Sequence, residues 1–153
     1  MDNSVDVSLI ETALGLDFGH KRVGVASGQM VTRTATPLKT VTSPSLRKDD
    51  ASWRELDSVV REWKPDALIV GIPLHMDGTE IEMTQDAKVF AQHLKTRYNV
   101  PVFNVDERLS SVEAAQEIAA GRASGTHKRQ IKGDLDKLAA RIILQTWFNQ
   151  QNR

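Results

Sequence analysis

The sequence predicts an α/β domain built on a mixed sheet of five strands with helices on both faces. Three observations carry that expectation. Short alternating apolar runs succeed one another closely near the N-terminus, as in an antiparallel meander. Two later apolar runs, Ala67–Ile72 and Val100–Val105, are each preceded by a segment of helical periodicity, the pattern of βαβ crossovers. The chain has 153 residues and no internal repeat, which suits a single core. Residues 1–12 are polar and read as a loose N-terminus, leaving 13–150 as the one domain.

Ala13–Phe18 is the first strand, with Leu14, Leu16 and Phe18 on one face and Ala13, Gly15 and Asp17 on the other. Gly19-His20 is a turn, and Gly19 is expected to let the chain bend sharply. Gly15 is expected to leave open space beside Asp17. Arg22–Ala26 continues as a second strand, and Val31–Leu38 as a third that Pro37 ends. Thr40–Asp50 is rich in Ser, Thr and Pro and reads as a loop. Trp53, Leu56, Val60 and Trp63 recur at helical spacing, and Pro65 stops that helix. Ala67–Ile72 is nearly all apolar, as expected of a strand covered on both faces.

Leu74–Thr79 is a loop with an Asp77-Gly78 turn, and Glu80 is placed as a cap for the second helix. Met83, Ala87, Phe90, Ala91 and Leu94 form the apolar stripe of that helix. After Val100–Val105, Ser111 is an N-cap candidate for a helix over Val112–Ala120. Gly121–Gly133 reads as a basic loop, and a final helix runs from about Asp134 to Asn149 with Leu138, Ile142 and Trp147 buried. The three tryptophans, Trp53, Trp63 and Trp147, fall at core positions and read as packing.

Composition narrows the function. Without cysteine there is no disulfide, iron–sulfur cluster or thiolate zinc site, and an intracellular setting is the natural expectation. The N-terminal residues carry acids and do not look like a secretory signal. No apolar run reaches the ~20 residues that span a bilayer. Net charge is zero, so a basic surface has to be local.

Ligands of open α/β sheets collect at the carboxyl ends of parallel strands. The acids placed near such ends are Asp17, the adjacent pair Asp106 and Glu107, and the pair Asp134 and Asp136. Asp134 reads well as a simple helix cap, because the helix dipole favours an acid there. Carboxylates gathered together repel unless a cation lies between them. Hard oxygen donors suit Mg²⁺ or Mn²⁺, and the four scattered histidines show no zinc spacing. Two such ions ~4 Å apart cleave phosphodiesters by activating water and stabilising the leaving oxygen.

Four stretches resemble one family, in its order and near its spacing: "GLDFGHKRVGVA", "IVGIPLHMDGTE", "VDERLSSVEA" and "DKLAARIIL". They are similar to the YqgF (RuvX) family of Holliday-junction-resolvase-like proteins linked to pre-16S rRNA cleavage. The resemblance implies a ribonuclease-H-like fold, cytoplasmic action on the 5′ end of precursor 16S ribosomal RNA, and divalent-metal nuclease chemistry. It also implies structured RNA as partner, branched DNA as the inherited alternative substrate, and ribosomal particles as the setting. By position it assigns Asp17, Glu107 and Asp136 as catalytic and metal-holding, with Asp106 and Asp134 in reserve.

A basic surface is expected from Arg122, Lys128, Arg129 and Lys132 in "GRASGTHKRQIKG", joined by Lys21, Arg22 and Arg108, where phosphates would be held by charge. The bland reading of the same run is a solvated loop. His75 is available for RNA contact, although a lone loop histidine commonly has no special role. Two other functions compete. A phosphotransferase of the actin–hexokinase type shares a strand, Asp-x-Gly and hairpin, but needs two such domains. A non-catalytic ribosome-assembly factor on the same fold predicts no loss of role on Asp17→Asn.

Overall fold

Five strands and three helices alternate through the chain in this computed structural model, which describes residues 5–47, 51–109 and 128–151, with side chains of the last segment described from residue 135. The helix expected over Val112–Ala120 with its Ser111 cap, and Arg122, lie outside the described residues. The strands are β1 (Thr12–Phe18), β2 (Arg22–Gln29), β3 (Thr34–Thr42), β4 (Ala67–Ile72) and β5 (Val102–Asp106). They form one sheet in the order β3-β2-β1-β4-β5. The first three are antiparallel, while β4 and β5 run parallel to β1. The expected mixed sheet is therefore present, with its meander at one side and its parallel strands at the other.

Helices α1 (Arg54–Trp63) and α2 (Glu82–Tyr98) cover one face, and α3 (Lys128–Gln150) covers the other. The alternation of β1 decides which side chains go where. Leu14, Leu16 and Phe18 join Trp53, Leu56, Phe90 and Leu94 in the core under α1 and α2. Ala13 faces the second core with Ala140, Leu144, Trp147 and Phe148 of α3. Phe18 stacks on Phe90 with ring centroids 4.6 Å apart. The stripe read for α2 is buried at Ala87, Phe90, Ala91 and Leu94. Among the described residues, no helix is long and apolar enough to cross a membrane.

Several elements differ from the sequence reading. β3 begins at Thr34 and runs through Pro37 to Thr42, past the proline expected to end it and into the expected loop. Pro37 is tolerated because β3 is an edge strand and the register shifts beside it: Val25 pairs with Lys39 and Ala26 with Pro37, leaving Leu38 unpaired. α3 begins at Lys128, so residues 128–133 are helical and Asp134 lies inside a helix, not at its cap. Gly133 suggests a break, but one helical glycine costs only about 1 kcal/mol, which the packing of a long helix offsets. Leu138 is only half-buried, whereas Ile142 and Trp147 are buried.

Glu80 does not cap α2; it pairs with Lys88 at 2.9 Å. The cap is made by Thr84, whose hydroxyl accepts the Ile81 N–H at 2.9 Å and donates to the Pro73 carbonyl. The Asp77-Gly78 turn is present, with Gly78 at φ +90° and Thr79 N–H bonded to the Asp77 carboxylate at 2.9 Å. Ahead of β1, the segment from Val5 carries a short 3₁₀ turn at Val7–Leu9, and the Glu11 and Thr12 amides donate to Asp66 at 2.9 and 3.0 Å.

Candidate active site

The carboxyl ends of β1, β4 and β5 lie side by side. The register pairs Leu16 of β1 with Val70 of β4, and Gly71 of β4 with Val105 of β5. On the other side of β1, Asp17 pairs with Gly24 of β2. Asp17 thus stands in a row across the sheet with Gly24 on one flank and Gly71 on the other. All point toward α3, since alternation puts Asp17 on the face opposite Leu16 and Phe18.

The two glycines determine what can reach Asp17. A Cβ on Gly71 would come within 2.6 Å of Glu107 Oε1 and 2.4 Å of Ile143 Cδ1. Glu107 opens a 3₁₀ turn just past the end of β5, and its side chain lies back over the bare Gly71 to hydrogen-bond with Asp17. Any side chain at position 71 would press on the Glu107 carboxylate. A Cβ on Gly24 would come within 1.9 Å of the Asp136 carbonyl oxygen. The bare Gly24 therefore lets the α3 backbone settle onto the sheet at Asp136. Gly15 does not open space beside Asp17 as expected: a Cβ there would meet Ala140 O at 2.6 Å, because α3 fills that position. Gly19 keeps an ordinary φ, and its role is close approach, with its N–H bonded to the Arg22 carbonyl at 2.9 Å.

The electrostatics arise from this crowding. Burial, then the charges of Glu107 and Asp136, push the Asp17 carboxyl well above the usual carboxylate range, and its hydrogen bond to Glu107 adds to the rise. Burial also pushes Glu107 up, with the Asp106 charge adding, while the hydrogen bond from Asp17 works against the rise. The two titrate as a pair. Asp136 stands near enough to act on Asp17 by charge, and its own carboxylate accepts Arg22 Nε–H at 2.9 Å.

The other sequence candidates are dispersed around this centre. Asp106 is turned away into a bidentate pair with Arg108, whose Nη2 lies 2.6 Å from Oδ2. That pairing holds the Asp106 carboxyl below its usual range, and it engages Arg108, which also reaches the Met76 carbonyl at 3.4 Å. Lys21 is exposed on the β1–β2 hairpin, at the same edge as Asp17. Lys128, Arg129, Lys132 and Asp134 lie in the first turns of α3, where side chains are not described. His20, passed over in the sequence, ties the hairpin to α2 through Asp86 at 2.7 Å. Gly24 and Gly71 were also missed, although glycine inside an apolar strand is a sign that something approaches closely.

A hard divalent cation suits these donors chemically. They are crowded carboxylate oxygens whose burial and mutual charge oppose ionisation, which is the frustration a cation relieves. Among the described residues, no group of three acids or histidines is drawn together tightly enough to enclose an ion unaided. Asp17 and Glu107 meet, while Asp136 is held to one side by Arg22.

Residues 11–150 match the family model described as RuvX, Holliday junction resolvase. The chain belongs to the RuvX family. A protein of Glaesserella parasuis named "Putative pre-16S rRNA nuclease" is 44% identical over 144 residues, covering 93% of this chain and 99% of its own. A protein of the same name from Burkholderia ambifaria is 44% identical over 139 residues, covering 91% and 89%. Among solved structures, Thermus thermophilus RuvC in complex with a Holliday junction substrate superposes with a TM-score of 0.54 at 14% identity, over 90% of this chain and 93% of that one. That likeness shows the fold, the expected ribonuclease-H-like architecture.

Proposed function

We propose that this RuvX-family chain is a metal-dependent nuclease that cuts precursor 16S ribosomal RNA near its 5′ end, in the cytoplasm and on ribosomal particles. One observation carries the reading: Glu107 crosses the bare Gly71 to meet Asp17, with Asp136 beside them. Crowded acids at a strand edge are costly to the fold and are kept where chemistry uses them. RNA is preferred over branched DNA because relatives matching nearly the whole chain carry the pre-16S rRNA name.

Asp17, Glu107 and Asp136 would hold Mg²⁺ or Mn²⁺, which supplies an activated water and charge stabilisation for the leaving oxygen. The rest belongs to the chain. Gly71 keeps Glu107 within reach of Asp17, and Gly24 fixes the depth at which α3 presents Asp136. Lys21 and Arg22 put positive charge at the same edge, where a phosphate backbone would be drawn in.

The test is cleavage of end-labelled RNA spanning the 16S precursor 5′ region with Mg²⁺ or Mn²⁺, beside EDTA and Asp17→Asn controls and a four-way DNA junction. Metal-dependent cutting of the RNA, lost in the variant, is the expected result. Cutting of the junction alone would move the substrate to DNA. RNA binding without any cutting, with ribosomal particles present, would replace the enzyme by an assembly factor.

A further inference from the structure

On the face of the sheet away from the carboxylates, a groove of about 720 Å³ lies between α1 and the C-terminal half of α2. Arg47, Arg61 and Arg97 line it together with His93, against a single lining acid, Asp57. Asp57 is engaged within the wall. Arg97 Nε and Nη2 donate to its two oxygens at 2.7 Å each, and the Tyr98 hydroxyl donates at 2.6 Å. The Arg97 guanidinium in turn lies 4.8 Å from the Trp53 ring centroid.

That network makes a fixed floor of flat groups. His93 and Tyr98 sit with ring centroids 6.0 and 6.5 Å from that of Trp53, and both are partly exposed. Arg47 and Arg61 also line the groove, and both are exposed. The lining residues carry an excess of positive charge in a chain whose net charge is zero, so it is concentrated here.

Arginines beside the partly open rings of His93 and Tyr98 match one ligand chemistry well. Arginine takes a phosphate through paired hydrogen bonds, and a ring takes the face of a base. An acidic peptide would use the arginines and leave the rings unused. We propose that this groove is a second nucleic-acid contact, holding a single-stranded nucleotide of the substrate away from the carboxylate site. The identity of the strand rests on the nuclease reading; the chemistry of the groove does not.

The experiment uses the full chain carrying Asp17→Asn, in EDTA, titrated against a fluorescently labelled single-stranded oligoribonucleotide over a range of salt. Adding Arg47→Ala and Arg61→Ala is expected to weaken binding roughly tenfold and to flatten the salt slope by about 1.4, two phosphate contacts at ~0.7 each. Both arginines are exposed, so the thermal midpoint is expected to stay unchanged. In the unsubstituted chain, adenosine monophosphate is expected to move the Trp53 indole N–H signal, whose proton is donated to the Ser45 carbonyl at 3.1 Å, more than inorganic phosphate does. Unchanged affinity and slope in the double variant, or an unmoved Trp53 signal, would overturn the proposal. Binding of the mononucleotide without the strand would overturn the strand as occupant. Failure of the parent protein to cut any RNA would refute the nuclease reading while leaving these binding results to stand or fall alone.

Discussion

Asp17 and Asp57 are the same residue type, each half-buried, on opposite faces of one sheet. Their carboxyls move in opposite directions. Asp57 is held below its usual range, first by the hydrogen bond from Arg97 and also by Tyr98, against the cost of burial. Asp17 is raised by burial and by two neighbouring acids. The Asp57 charge is matched by Arg97, and the pair ties α1 to α2. At the α3 edge, acids are packed against acids with glycine on both flanks. An arrangement that works against stability, yet is built by specific glycines, points to a purpose outside the fold.

The largest effect should come from breaking the frustrated side. Asp17→Asn is expected to lower the rate of RNA cutting on the order of 10³-fold, while raising stability by about 1 kcal/mol because an ionisable carboxyl is no longer buried beside two other acids. Cleavage kinetics and thermal unfolding on the same samples check both signs. If activity and stability fall together, Asp17 is a structural acid.

Next come the glycines. Gly24→Ala puts a Cβ into the Asp136 carbonyl and is expected to cost about 3 kcal/mol by displacing α3. Gly71→Ala meets mostly the ends of flexible side chains, Ile143 and Glu107, so its cost to the fold should be smaller. It is expected to reduce activity out of proportion to stability, because Glu107 is pushed off Asp17. Chemical denaturation of the two variants, set against their cleavage rates, separates these outcomes.

On the matched side, Asp57→Asn should cost about 1–2 kcal/mol at neutral pH through loss of charge-assisted bonds to Arg97. The folded carboxyl lies below its ordinary value of 3.8, so this stabilisation is present above that pH and is lost as pH falls through the lower folded value. The gap between parent and variant should hold steady from neutral pH to about 5 and close in stronger acid. The smallest effect is expected for Lys88→Ala, which breaks an exposed pair with Glu80 and should change stability by less than about 0.5 kcal/mol.

The sequence was most legible where burial is periodic. Leu14, Leu16 and Phe18 alternate because β1 separates two cores, and the Ala87–Phe90–Leu94 stripe repeats because α2 buries one side. It was least legible where tertiary contacts override local preference. Pro37 sits in a strand because β3 is an edge, and Lys128 starts a helix because α3 has a whole sheet to pack on. The acids of the site were visible as unusual residues at strand ends. Their neighbours Gly24 and Gly71 were not, because flanking Asp17 is a matter of register: that of the β1–β2 hairpin for Gly24, and that of β1 with the sequence-distant β4 for Gly71. The pairing of Arg22 with Asp136 joins residues 114 apart, and no local pattern announces it.

If the Asp17–Glu107–Asp136 edge is unstable by itself and is relieved by a divalent cation, thermal unfolding should reveal it. The most direct measurement is the thermal midpoint of the parent and of Asp17→Asn, each in EDTA and with millimolar Mg²⁺ or Mn²⁺. The cation is predicted to raise the parent's midpoint, as the binding relation RT ln(1 + [L]/Kd) requires, while the variant starts higher and barely responds. An equal response in both proteins, or none in the parent, would contradict a cation held by these three acids.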